Sequence, residues 1–129
     1  MNIEFRDGLL FTSVEISYKG HSKLIDNIVI DTGAAESIIS PDIVDDIGIY
    51  AELGDRIISF YGVGGSLHNS FVKVIDNIKI GLHSIKNLEI DFGIIDAKGE
   101  INGLLGLDIL MKAGANIDLK NLVLKFSDE

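Results

Sequence analysis

From residue 13 to residue 19 the chain alternates strictly, with Val14, Ile16 and Tyr18 apolar and Ser13, Glu15, Ser17 and Lys19 polar. A period of two sends alternate side chains to opposite faces, which predicts a strand with one buried side. Lys19-Gly20-His21-Ser22 reads as the turn after it. Leu24-Ile25 and Ile28-Val29-Ile30 then lead into Asp31, and the consecutive β-branched residues predict a central strand covered on both faces. Ser40-Pro41-Asp42 offers a capping hydroxyl, a first-turn proline and an acid at the positive helix end, with Gly48 as a stop. A short helix over about 41 to 47 is therefore expected.

Arg56 to Tyr61 and Phe71 to Ile75 are strand-like and flank Gly62-Val63-Gly64-Gly65-Ser66, a glycine-dense segment suited to a mobile hairpin tip. Further strands are expected at Asn77 to Leu82 and Ile85 to Phe92. The apolar stretch Leu104-Leu105-Gly106-Leu107 follows, and Asp108 is placed to cap a short helix ending at Gly114. Ile117-Asp118-Leu119 and Leu122 to Phe126, joined at Lys120-Asn121, read as a closing hairpin whose last strand has the composition of an interface element. Short strands at regular spacing with one or two brief helices predict an all-β barrel or sandwich-like fold, a single domain over residues 1–129. A faint repeat is visible, since an apolar strand, a glycine-containing loop and a short helix occur around Asp31 and again around Gly106.

Composition narrows the function. A chain of 129 residues with 47% apolar content can build one core and has no room for a second full domain. With 11 Lys and Arg against 20 Asp and Glu, the net charge of -9 argues against nucleic acid and anionic membrane surfaces as partners. The absence of cysteine excludes disulfides, thiolate zinc sites and a cysteine nucleophile. His21, His68 and His83 are scattered without ligand spacing, so neither a metal nor another cofactor is expected. Residues 1–7 lack the basic start and apolar run of a signal peptide, and no later run reaches membrane-spanning length, so a soluble cytoplasmic protein is the expectation.

The chemistry concentrates at Ile28-Val29-Ile30-Asp31-Thr32-Gly33-Ala34, where a hydrophobic strand delivers a carboxylate to its end and a glycine turns the backbone away. Two such acids brought face to face cannot both ionise cheaply, so they would share one proton. The ionised member then draws a proton from water while its protonated mate polarises a peptide carbonyl, giving hydrolysis without a covalent intermediate. Thr32 has a hydroxyl able to bridge the paired loops. Three residues carry little information alone. Their order with the small Ala34, the glycine-rich hairpin and Gly103-Leu104-Leu105-Gly106 carries more.

That order resembles the retropepsin-like aspartic proteases, over about residues 10 to 126. The resemblance implies a small closed β-barrel of the retropepsin type, active as a homodimer because each chain holds one Asp-Thr-Gly. It implies Asp31 as the catalytic acid, Thr32 as the hydroxyl locking the two active-site loops, and Gly33 as a backbone contact for an extended peptide substrate. Ala34, Ala35, Tyr61, Gly62, Val63, Gly64 and Gly65 would line the substrate, with Tyr61 to Ser66 forming a flap. Leu104, Leu105 and Gly106 would support the catalytic loop. Retroviral members commonly carry Asp two residues after the motif glycine and Arg after the hydrophobic-pair glycine, where this chain has Ala35 and Leu107. Both partners of an ion pair are missing, which strands no buried charge but leaves the dimer to be held in another way. Non-viral members resemble this pattern better.

Other motifs explain less. Gly62-Val63-Gly64-Gly65-Ser66-Leu67 lacks the last glycine of a dinucleotide fingerprint, and Ser66 near His68 has no nucleophile elbow around it. Glu36, Asp42, Asp45 and Asp46 read as a solvated face, with Glu36 near enough to the motif to influence substrate charge preference. The expected activity is aspartic endopeptidase. The competing readings are a retropepsin-fold dimer that binds peptides with little or no catalysis, and a monomeric acidic β-domain binding a partner through its hairpin.

Overall fold

The computed structural model describes residues 1–61, 67–96 and 98–126. Among these the elements are β1 (Glu4–Arg6), β2 (Leu9–Tyr18), β3 (His21–Ile30), β4 (Ile38–Ile39), β5 (Ile57–Tyr61), β6 (Leu67–Ile80), β7 (His83–Phe92), β8 (Gly103–Leu105), α1 (Leu107–Lys112), β9 (Ala115–Asp118) and β10 (Val123–Phe126). Eight strands form one sheet in the order β1-β2-β3-β8-β4-β7-β6-β5, and β2 also pairs with β6. The pairings therefore run in a closed circuit through β2, β3, β8, β4, β7 and β6. β9 and β10 form a separate antiparallel hairpin.

β3 is central, as its β-branched run predicts: Ile28, Val29 and Ile30 are all buried, with antiparallel β2 on one side and parallel β8 on the other. In β2 the inward residues Val14, Ile16 and Tyr18 are buried, but the strand starts earlier than the alternation does. Phe11 and Thr12 are both buried beside a register shift between Thr12 and Val14, and such a bulge erases the two-residue period that marks a strand in sequence. The core is rich in isoleucine, including Ile16, Ile28, Ile39, Ile75, Ile90 and Ile109. Each such burial contributes about 1.5–3 kcal/mol relative to exposure.

Three expectations need correction. The segments expected at Phe71 to Ile75 and Asn77 to Leu82 belong to one strand, β6, which ends at Ile80 with Gly81 and Leu82 in the turn, because exposed Asp76 occupies an outward position and pairing with β7 continues from Ile75↔Leu88 to Asn77↔Lys86. In place of a helix over 41 to 47 there are two single 3₁₀ turns, Pro41–Ile43 and Asp45–Ile47. Ser40 makes no side-chain cap, and the chain bends at Val44, with φ of -121°, so that this side chain is wholly buried in the core. Gly48 does end the segment, in a left-handed conformation with φ of 90° that favours glycine. Finally, Gly106 rather than Asp108 stands at the start of α1, and the helix stops at Lys112.

The last strand is engaged within its own chain. β10 pairs with β9 on one edge, while its other edge receives the first residues of its own chain: Ile3 N donates to Leu122 O at 2.9 Å, Leu124 N to Met1 O at 2.8 Å, and Asn2 bridges to Val123. Both edges of β10 are thus occupied within one chain. Among the described residues no helix is long and apolar enough to cross a membrane.

Candidate active site

Asp31 leaves the end of β3 where that strand lies beside β8. Ile28, Val29 and Ile30 pair in parallel with Gly103, Leu104 and Leu105, and the Asp31 amide extends the ladder to Leu105 O at 2.9 Å. The two halves of the faint repeat are therefore neighbours. Beyond Asp31 the backbone turns at once: Ala34 N donates to Asp31 O at 3.2 Å, and Gly33 N donates to the Asp31 carboxylate at 2.9 Å. Thr32 and Gly33 are exposed, and Asp31 is half-buried. A side chain at Gly33 would start 3.2 Å from the Asp31 carboxylate, so glycine keeps the amide close to that oxygen.

Leu105 and Gly106 underlie this loop, and Leu104 is partly exposed beside them. Leu105 is buried in the core, while Gly106 lies against the loop backbone: a Cβ there would fall 2.8 Å from Ala34 O and 2.9 Å from Glu36 O. Backbone cannot yield as a flexible side chain can, so no residue larger than glycine fits without moving the loop. The start of α1 completes the clamp, with Leu107 N donating to Ala34 O at 2.8 Å and Asp108 N to Ala35 O at 3.1 Å. The carbonyls of Ala34 and Ala35 are thus committed to α1. Leu107, where the viral pattern has arginine, joins the clamp through its backbone.

Sequence reasoning missed the side chains that fasten the loop. Buried Ser37 donates its hydroxyl to Asp108 Oδ1 at 2.7 Å and its amide to Asp108 Oδ2 at 3.0 Å, while Gly106 N donates to the Ser37 hydroxyl at 2.8 Å. No local pattern links positions so far apart. The one available signal was an acid in the first turn of a helix with a glycine already at its start. Glu36, Asp91 and Asp108 line a pocket of about 350 Å³ beside the loop, together with Arg56, Glu89 and Lys112. Burial pushes the Asp91 carboxyl up to about 6, aided by a hydrogen bond with Glu36 and by the charges of Glu36 and Asp108, with Arg56 opposing.

The arms of the glycine-tipped hairpin are β5 and β6, paired antiparallel from Ile57↔Phe71 to Tyr61↔Leu67. The tip itself, with Gly62, Val63, Gly64, Gly65 and Ser66, lies outside the described residues, as does the side chain of Tyr61. His83 stacks on Phe126 with ring centroids 5.3 Å apart, on the β9–β10 side of the fold.

A family model described as aspartyl protease matches residues 14–109. The chain is 31% identical over 126 residues to DNA damage-inducible protein 1 of Kluyveromyces lactis, covering 93% of this chain and 27% of the relative's length. It thus spans about a quarter of that relative. Among solved structures, a retropepsin-like aspartic protease from Rickettsia conorii superposes with a TM-score of 0.67 at 19% identity, covering 95% of this chain and 86% of the other. The retroviral protease-like domain of Ddi1 from Leishmania major gives 0.66 at 18% identity, covering 94% and 90%. The EIAV protease in complex with the inhibitor HBY-793 gives 0.61 at 22%, covering 90% and 98%. At these identities the structural likeness concerns the fold.

Proposed function

The chain belongs to the aspartyl protease family, and on that premise we propose that it is an endopeptidase working as a homodimer, each subunit supplying one Asp31 to the site that cleaves an extended peptide. The observation that carries this reading is the presentation of Asp31: its carboxylate accepts the Gly33 amide on a half-exposed loop, and that loop is clamped from beneath by Leu105, Gly106 and α1. A pre-positioned acid beside exposed Thr32 is what a paired-carboxylate site requires from each half. In the pair, one Asp31 is ionised and takes a proton from water, and the other is protonated and donates to the substrate carbonyl. Thr32 bridges the two loops, and Gly33, Ala34 and Ala35 form the floor under the peptide. The hairpin from Tyr61 through Gly62, Val63, Gly64 and Gly65 covers it. No metal or cofactor enters this chemistry.

We read the closed circuit of strand pairings as a small barrel of the retropepsin kind. Because both edges of β10 are filled within the chain while β9 is paired only with β10 among the described residues, we assign the seam between subunits to the outer edge of β9. On this reading pairing along β9 holds the dimer in place of an ion pair at Ala35 and Leu107.

The test joins sedimentation of the purified chain to a peptide-library cleavage assay, for wild type and Asp31→Asn, from acid to neutral pH. Dimers that cleave, with activity lost in Asp31→Asn, support the reading. Cleavage by a strict monomer overturns the two-subunit site, and a well-folded dimer inactive on every peptide points to a binding module instead.

A further inference from the structure

The strand that delivers Asp31 carries one residue more than its neighbour. Thr12 pairs with Ile28 but Val14 pairs with Ile25, so Ser13 alone faces Asp26 and Asn27 together. Asn27 takes a left-handed conformation, with φ of 54°, which asparagine tolerates better than most side chains. An inserted residue changes the face taken by every side chain after it. Before the bulge Ile25 points into the core, and after it Ile28 and Ile30 do, while Val29 between them is buried on the other side. Continuing the alternation puts Asp31 on the face of Val29. Without the extra residue the inward series from Ile25 would run through Asn27 and Val29 to Asp31 and turn the acid toward the core.

This bulge is gripped from two sides. On one, Arg6 of β1 donates to Asn27 Oδ1 at 2.6 Å and lies 3.8 Å over the ring of Phe11, the β2 partner of Val29. On the other, Asn102 donates its amide to Asn27 O at 2.9 Å and its side-chain nitrogen to Asp26 O at 3.0 Å and Asp26 Oδ1 at 3.2 Å. Asn102 is the residue before β8, and its carbonyl accepts the Ser40 amide at 2.9 Å. The grip therefore sits at the start of the parallel ladder that runs from Ile28 and Gly103 to the Asp31 amide and Leu105 O.

We propose that Arg6 and Asn102 are positioning residues: by holding the Asp26–Asn27 bulge they fix the face and the reach of β3, and so the place of the Asp31 carboxylate. Both act through β3, and neither belongs to the loop that bears the acid. The inference rests on the protease reading for its consequence in catalysis.

The test uses the full chain. Arg6→Met keeps an apolar stem over Phe11 but loses the donor, Asn27→Gly keeps the left-handed backbone but loses the acceptor, and Asn27→Asp keeps both backbone and acceptor. Well below each variant's unfolding range, Arg6→Met, Asn27→Gly and their double variant should each lower kcat by the same factor, about tenfold, with KM nearly unchanged. Asn102→Ala should do likewise, and Asn27→Asp should turn over as the wild type does. The amide shifts of Asp31 to Ala34 should move in the first four and stay in Asn27→Asp. Losses that multiply in the double variant, an Asn27→Asp as slow as Asn27→Gly, or loop shifts unmoved by Arg6→Met and Asn102→Ala overturn the proposal. If the wild type cleaves nothing, the protease reading fails, and the loop shifts still decide whether the bulge places Asp31.

Discussion

Ser37 and Asp108 stand 71 positions apart and are joined twice, hydroxyl to Oδ1 at 2.7 Å and amide to Oδ2 at 3.0 Å. The serine oxygen also accepts the Gly106 amide, so one buried side chain ties the loop bearing Asp31 to both the end of β8 and the start of α1. Removing either partner leaves buried polar groups unsatisfied. Asp108→Ala should cost about 2–4 kcal/mol, from two bonds to a charged acceptor, and Ser37→Ala about 1–3 kcal/mol. Chemical denaturation measures both. Peptidase activity assayed well below each variant's unfolding range should fall further than the folded fraction does, because the loop loses its fastening.

Glycine is demanded at 106 more severely than at 33. Gly106→Ala forces a Cβ against the backbone of Ala34 and Glu36, and the expected result is a loss above about 3 kcal/mol or failure to fold. Gly33→Ala crowds only the Asp31 carboxylate. It should leave the thermal midpoint nearly unchanged while lowering kcat. Equal thermal effects of the two substitutions would contradict the geometry.

Asp31→Asn keeps size and most hydrogen bonding while removing the ionisable group. Hydrolysis should fall by about 10³-fold or more, with stability within about 0.5 kcal/mol of wild type or somewhat higher. The wild-type rate should trace a bell against pH, its acid limb marking loss of the base and its alkaline limb loss of the shared proton. Residual cleavage in the variant that a chelator abolishes would refute the mechanism.

Lys73 sends its stem through the sheet interior to Glu52 at 2.6 Å and Asp55 at 2.9 Å, holding the segment that leads into β5. The bond from Lys73, then the amide of Glu52, holds Asp55 below the usual carboxylate range. A depressed carboxyl contributes stability that is present above its unfolded value and lost as pH falls through its folded value. Lys73→Met should therefore flatten the fall of the thermal midpoint below about pH 4. An acid limb as steep as that of wild type would show that the pairing does not act on folding.

The sequence made the central strand visible because Ile28-Val29-Ile30 is buried on both faces and needs no partner to be recognised. It also made the Asp31 motif and its glycine support visible, since both are short and contiguous. It concealed what depends on distance or on a broken period. Thr12 hides a strand start in a bulge, Asp76 imitates a break while pointing outward, and Val44 bends a promising helix into two turns by burying itself. Ser37, Asp91 and Asp108 belong to separate elements, and nothing local in the chain announces that they meet.

The parallel pairing of β3 with β8 also fixes when the site can exist. Ile30 emerges from the ribosome well before Leu105, and the Asp31 amide has its strand partner only once Leu105 is available. Closing so long a loop is slow compared with forming the β2–β3 hairpin, so the geometry around Asp31 is among the last to be completed. A chain ending before Gly103 carries the acid but not its setting, so the geometry around Asp31 waits on the segment from Gly103 to Lys112.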